Sequence, residues 1–164
     1  MTAEKNLTDI RKATGKVYQI LTGVMEKYIS MKSLIYFDNL TKDLKNAGTE
    51  AYKANNLFPA NFFADMADPL LRWHWDRYAG VRDMEITPTF QMLWQYHRKY
   101  LGQVQTDEMW TNAIKDGDEI LKDADPHLKG FVMAILRDLE KRNPREEESA
   151  TNEQTAAPST GETV

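Results

Sequence analysis

The sequence predicts an all-α fold, a compact multi-helix bundle of about six to seven helices with a long N-terminal amphipathic helix or helical hairpin and a disordered C-terminal tail. Apolar residues recur at helical spacing along most of the chain. No segment shows the period-two alternation that a half-buried strand requires. Several prolines stand directly before apolar-periodic runs, as they do at helix starts.

The N-terminal segment carries the most regular pattern. Its apolar positions alternate spacings of three and four residues, which is typical of a coiled-coil seam. The seam residues are Leu7, Ile10, Thr14, Val17, Leu21, Val24, Tyr28 and Met31. So narrow a stripe requires a partner helix, either in this chain or in a second copy. Self-association would use the seam residues other than Thr14 and Met31.

A second apolar series follows out of phase with the first. It consists of Phe37, Leu40, Leu44, Ala47 and Ala51. Either a turn between Met31 and Asp38 makes an antiparallel hairpin, with Asp38 capping the second helix, or one long helix passes through with a stammer. We favour the hairpin. Asn55 and Asn56 then mark the exit from this region.

Proline marks the starts of the later helices. Pro69, Pro88 and Pro126 follow Asp68, Thr87 and Asp125. In each pair the first residue can cap a helix, and the proline can take the first helical position because the N–H that it lacks has no partner there. With Pro59 and the cap residue Thr106, these signals predict helices over 60–67, 69–79, 88–104, 106–122 and 126–142.

We predict a single helical domain over residues 1–143 with two parts. Residues 7–56 form the heptad-patterned hairpin, and residues 57–143 form an aromatic-rich bundle that holds all four tryptophans. Residues 144–164 are acidic and nearly free of large apolar side chains, so we predict a disordered tail. We expect any function to lie where the two helical parts meet.

Composition excludes several classes of site. The chain has no cysteine, which rules out disulfides, thiolate catalysis and cysteine-based zinc sites. The net charge of −4 belongs entirely to the tail, so the balanced body offers no argument for a nucleic-acid groove or an anionic membrane surface. No apolar run resembles a signal peptide or a membrane span. We therefore expect a cytoplasmic protein without a membrane partner.

The densest aromatic segment is the candidate interaction site. It comprises Arg72, Trp73, Trp75, Arg77 and Tyr78. Helical spacing predicts that Trp75 and Tyr78 face the core while Trp73 projects toward the arginines, as an exposed anchor for a protein partner. The alternative is a helix buried nearly all round, with Arg77 stacked on Trp73 and Arg72 paired with Asp76.

The histidines offer little chemistry. His97 falls on an apolar helix face, where a hydrogen-bonded core histidine competes with a ligand or base. No Glu-x-x-His or His-x-x-x-His pair exists, so we predict no metal site and no cofactor, and we assign no catalytic residue. A helical enzyme or a ligand-binding protein with a pocket near His74 and His97 is the weakest functional alternative.

The best functional interpretation is a non-enzymatic helical module for protein–protein interaction or assembly. It would use the N-terminal seam, the 72–78 aromatic patch, or both. The rival interpretation is a nucleic-acid-associated accessory protein, using the mildly basic N-terminal helix or the run His97-Arg98-Lys99-Tyr100.

Overall fold

The computed structural model describes residues 3–29, 34–76, 85–122 and 126–146. Within these ranges the chain forms six α-helices, one 3₁₀ turn at Leu34–Tyr36 and no strand, which confirms the all-α prediction. The helices are α1 (Ala3–Tyr28), α2 (Phe37–Ala54), α3 (Ala60–Asp76), α4 (Ile86–Tyr100), α5 (Asp107–Leu121) and α6 (His127–Arg142). None of the six combines the length and the apolarity needed to cross a membrane.

The two N-terminal series fold as two helices that pack on each other, not as one long helix. The predicted cap at Asp38 is wrong, because α2 begins at Phe37, directly after the 3₁₀ turn, and its N-cap position is Tyr36, two residues earlier. Asp38 lies instead in the first turn of α2, where a negative charge favours the helix dipole. Met31 lies outside the described residues.

The predicted break before Pro69 is also wrong, since α3 runs through this proline without interruption. A proline inside a helix costs about 3 kcal/mol. Burial of the α3 stripe on both sides of it offsets that cost. The stripe consists of Phe62, Met66, Leu70 and Trp73. Pro69 itself is buried, and a Cβ built on Gly130 of α6 would lie 2.7 Å from the Cβ of Pro69, so α3 and α6 approach closely here.

The remaining helices follow the predicted order with shifted ends. Thr106 caps α5 as predicted, its hydroxyl accepting a hydrogen bond of 3.1 Å from the Met109 amide. The start of α4 precedes Pro88, and its end at Tyr100 comes earlier than predicted. Pro144 and Arg145, the first residues of the predicted tail, pack beside Gln105. The backbone N–H of Gln105 donates a hydrogen bond of 2.8 Å to the Pro144 carbonyl. Residues 147–164 lie outside the described residues.

The six helices form two three-helix halves, α1–α3 and α4–α6, whose buried positions correspond. The buried residues of α2 are Leu40, Leu44 and Gly48. Those of α5 are Met109, Ala113 and Gly117, with the same spacing. In α3 and α6 the corresponding buried residues are Phe62 and Phe131, Phe63 and Val132, Met66 and Ile135, and Leu70 and Leu139. In α1 and α4 they are Tyr18 and Phe90, Leu21 and Leu93, Met25 and His97, and Tyr28 and Tyr100.

The helix contacts repeat in the same order. Helices α1 and α2 pack as α4 and α5 do, and α2 packs on α3 as α5 packs on α6. Between the halves, α1 contacts α4, and α3 makes its most extensive contact with α6. Each half thus contributes equivalent helices to the interface, which is the contact pattern of an approximate two-fold axis.

Two glycines of the first half, Gly23 and Gly48, provide a test of this packing. We expect Gly48→Ala to destabilise the fold, because its Cβ would lie 2.7 Å from a ring carbon of Phe63. The overpacking cost of about 1–3 kcal/mol exceeds the gain of about 0.5–1 kcal/mol from replacing a helical glycine. Gly23→Ala is the control, since nothing lies within 4 Å of its Cβ, and it should raise stability. Urea unfolding of both variants measures the difference, and equal shifts would contradict the packing.

Candidate functional site

A group of polar side chains is buried where α1, α4 and α6 meet. We call it the Asp138 cluster, and its members are Thr14, Tyr18, His97, Asp138 and Arg142. His97 is fully buried and Asp138 is 5% exposed, whereas Arg142 retains 23% of its side-chain surface. Polar groups are buried without large cost only when they are hydrogen-bonded, so the partners of each member decide what the cluster can do.

Asp138 forms an ion pair with Arg142, one turn later on α6. The guanidinium donates from Nε to Oδ1 and from Nη2 to Oδ2 of Asp138, both at 2.7 Å. This fork-to-fork geometry is the strong form of an arginine–carboxylate pair. Nη2 also donates to the Thr14 hydroxyl at 2.8 Å, and Thr14 donates onward to the Ile10 carbonyl. The ion pair on α6 is thereby tied to α1.

His97 connects the same carboxylate to α4 and α1. Its Nε2 lies 2.7 Å from Oδ2 of Asp138, and its Nδ1 lies 2.8 Å from the Tyr18 hydroxyl. One arrangement of protons satisfies both contacts with a neutral ring: Nε2–H donates to Asp138, and the Tyr18 hydroxyl donates to Nδ1. The cluster then contains one carboxylate, one guanidinium and three neutral donors, the third being the Thr14 hydroxyl.

The shifts in pKa agree with this arrangement. Burial lowers the pKa of His97 and outweighs the opposing hydrogen bond to Asp138, so the ring is held neutral. Burial alone would raise the pKa of Asp138, but the hydrogen bonds from His97 and Arg142 hold it below its ordinary value. Burial, followed by the nearby Asp138 charge, raises the pKa of Tyr18. The ionised pair is therefore Asp138 with Arg142.

The His97 ring is enclosed by aromatic side chains, which decides its chemistry. Phe62 meets it edge-on at 4.6 Å between ring centroids, and Trp94 packs at 6.0 Å. With both nitrogens hydrogen-bonded, no reactant can reach the ring unless the bundle opens. His74 belongs to a different region, because it lies twelve residues after Phe62 on α3, about 18 Å along the helix. The structure thus places His74 and His97 apart and does not bring them into one pocket.

An open groove of about 960 Å³ runs between α2 and α3 and ends at α6. We call it the α2–α3 groove. Small or apolar side chains form most of its surface: Leu44, Gly48, Ala60, Phe62, Phe63, Ala64, Ala67 and Leu71. Tyr52 stands on its rim with half of its surface exposed. The groove lies where the heptad-patterned part of the chain meets the aromatic-rich part.

The charged side chains around the groove leave an excess of positive charge. Among its carboxylates, Asp65 pairs with Arg137, Asp68 pairs with Arg72, and Asp138 pairs with Arg142. Lys45 and Lys141 also line the groove, and neither forms an ion pair within the described part of the chain.

The Asp138 cluster reaches the groove at its α6 end. Asp138 and Arg142 are both lining residues, and Phe62 lies between the groove and His97. The Nη1 nitrogen of Arg142 has no hydrogen-bond partner among the described residues, so two of its donors remain for an incoming anion. The cluster fixes the guanidinium, and the groove makes part of it accessible.

The predicted aromatic patch is only partly described, and its predicted orientation is wrong. Trp73 is fully buried, whereas Trp75 is 51% exposed and meets Phe37 edge-on. The reason is that α3 continues through Pro69, so the buried stripe of its first half extends to Trp73. Arg72 is exposed and pairs with Asp68 rather than Asp76, which instead pairs with His127 at 2.9 Å. Arg77 and Tyr78 lie outside the described residues.

The predicted self-association seam is largely covered within the chain. Val17, Leu21 and Tyr28 are buried, and Leu7, Ile10 and Val24 are partly buried. Their helix packs against α2 and α4, which supply the partner surface that the narrow stripe requires. The buried face is also wider than the seam, since Ala13, Tyr18 and Met25 belong to it.

Comparison with protein-family models, with curated proteins and with solved structures finds no match to this chain. Within the described ranges, no three histidine or carboxylate side chains are grouped as a metal site would require.

The role of Asp138 was not predicted, although the sequence carries a signal for it. Asp138 stands in register with Phe131 and Ile135 on the apolar face of α6, with Arg142 one turn later. A carboxylate in that position requires a partner, and an arginine at i+4 is the simplest one. The hydrogen bond between His97 and Asp138 spans 41 residues of sequence and the one between Tyr18 and His97 spans 79, and no local pattern encodes them.

We expect Asp138→Asn to destabilise the protein by about 3 kcal/mol, the low end of the range for breaking a buried pair, because Arg142 stays partly solvated. Asp68→Asn makes the same chemical change in an exposed pair with Arg72 and should cost less than about 0.5 kcal/mol. Urea unfolding at pH 7 distinguishes them. Similar losses for the two variants would contradict a buried ion pair.

Stability should also fall in mild acid because of His97. Its pKa is lowered from 6.5 in the folded chain, so below pH 6.5 the unfolded chain binds a proton that the folded chain excludes. The contribution of His97 to the free energy of unfolding is complete above pH 6.5. It is lost as the pH falls toward the pKa of His97 in the folded chain, by up to about 1.4 kcal/mol per pH unit. Unfolding of wild type and His97→Gln at pH 7.0 and 5.5 measures it. Parallel losses in both proteins would refute this assignment.

Proposed function

We propose that this chain is a non-enzymatic protein–protein interaction module whose α2–α3 groove binds an acidic amphipathic helix. The observation that carries the proposal is an open apolar groove bordered by two lysines, Lys45 and Lys141, that form no ion pair with any residue that the structure describes. A partner helix could lay its apolar face along the groove, the mode of recognition used by many helix-binding domains.

Charge complementarity supports an acidic partner in particular. Lys45, Lys141 and the Nη1 donors of Arg142 are available to carboxylates, while the carboxylates of the groove already have cations. Like charges facing each other across an interface suppress the wrong partner, so a basic helix would be rejected. Tyr52 on the rim is the kind of residue that often dominates binding energy.

A labelled 18-residue peptide with leucines on one helix face and glutamates elsewhere tests the proposal. We expect it to bind at least tenfold more tightly than the same peptide with lysines in place of glutamates, as measured by fluorescence anisotropy. Higher salt should reduce the difference, because the attraction is between solvent-exposed charges. Equal binding of the two peptides would contradict the proposal.

Variants locate the binding surface. Ala64 is an exposed groove residue, and Ala64→Glu should weaken binding of the acidic peptide tenfold or more by placing a charge on the apolar floor. Met92→Glu, at an exposed apolar position on α4 outside the groove lining, is the matched control and should bind as wild type does. Replacing both Lys45 and Lys141 by glutamate should abolish the preference between the peptides. Unchanged binding to the Ala64 variant would place the peptide elsewhere.

A further inference from the structure

The correspondence between the halves places larger apolar residues at the positions of the second half that are equivalent to the groove lining. Three residues lining the groove are Lys45, Ala64 and Ala67. The corresponding residues of the second half are Ile114, Met133 and Leu136. Larger apolar side chains thus stand between α5 and α6 where short or charged ones leave the groove open between α2 and α3.

The second-half surface exposes its apolar side chains. Ile114 on α5 is 51% exposed and Met133 on α6 is 42% exposed, although both side chains are large and apolar. Trp110 and Leu136 are partly buried beside them and pack against the core. We call Trp110, Ile114, Met133 and Leu136 the α5–α6 ridge.

The charge of α5, which contributes Trp110 and Ile114 to the ridge, is complementary to that of the groove. Helix α5 carries five acidic residues against one lysine. Asp116 and Glu119 are paired with Lys99 and Lys122. Asp107, Glu108 and Asp118 are exposed and form no ion pair within the described ranges. An acidic helix with an exposed apolar stripe is the partner that the groove was proposed to bind, and the chain itself carries one.

We infer that the occupant of the α2–α3 groove is the α5–α6 ridge of a second copy of this chain, an inference that rests on the proposed function. Groove and ridge belong to different helix pairs, so the contact joins two unlike surfaces. Each contact leaves one groove and one ridge free at the ends, and copies therefore add head to tail. This assembly differs from one along the N-terminal seam, whose residues are largely covered within the chain.

Sedimentation of the full chain over a range of concentrations tests the inference. The mass of wild type should rise with concentration above the monomer value of 19.0 kDa. Ala64→Glu disables every groove and Ile114→Glu disables every ridge, so each variant alone should remain a monomer. An equimolar mixture should form a dimer and nothing larger, because one working groove meets one working ridge. Met92→Glu should assemble as wild type does.

The outcomes separate this inference from the proposed function. Wild type that stays monomeric at all concentrations, or a mixture that does not dimerise, overturns the inference. The Ile114→Glu variant keeps its groove, so the leucine–glutamate peptide should still bind it. Peptide binding without self-association would reject the second copy as the partner and leave the proposed function standing, whereas absence of both would reject the two together. Circular dichroism of each variant verifies that it is folded.

Discussion

The buried carboxylate of Asp138 is the constraint on which the arrangement of three helices depends. A buried charge costs several kcal/mol unless it is paired and hydrogen-bonded, so its partners must stay in place. Arg142 comes from the same helix, but His97 comes from α4, and Thr14, reached through Arg142, comes from α1. A slip of any of these helices by one residue, about 1.5 Å, would break a hydrogen bond of 2.7 or 2.8 Å. The cluster therefore fixes their register as well as their contact.

The other half of the molecule shows that packing alone does not require such a cluster. The residues that correspond to Thr14, Tyr18, His97, Asp138 and Arg142 are Ile86, Phe90, Met25, Pro69 and Trp73. All five are apolar and buried, and well-packed apolar residues commonly stabilise a core at least as well as a buried ion pair. The packing also differs between the halves, because α4 packs on α6 more extensively than α1 packs on α3. The His97–Asp138 hydrogen bond joins α4 to α6.

Local patterns were sufficient to predict the helical class, the order of the helices and the Thr106 cap, because periodicity and capping act over a few residues. They failed at Pro69, since an Asp-Pro pair looks the same at a helix start and inside a helix, and only the buried stripe from Phe62 to Trp73 decides between them. The same failure inverted the orientations of Trp73 and Trp75. The groove could not be predicted, because it depends on which faces of α2 and α3 meet, and helical spacing does not contain that information.

The two halves differ at the point where the Asp138 cluster adjoins the α2–α3 groove, and the difference lies in the corresponding residues Trp73 and Arg142. Trp73 fills the core in the first half, whereas Arg142 at the corresponding place keeps part of its guanidinium in the groove. An unpaired arginine there would be free to move away, since its side chain loses roughly 2 kcal/mol of rotamer entropy when it is fixed. Asp138, Thr14 and indirectly His97 supply the interactions that offset this cost. The buried ion pair thus holds a cation at a defined point on an apolar surface, which an apolar core residue cannot do.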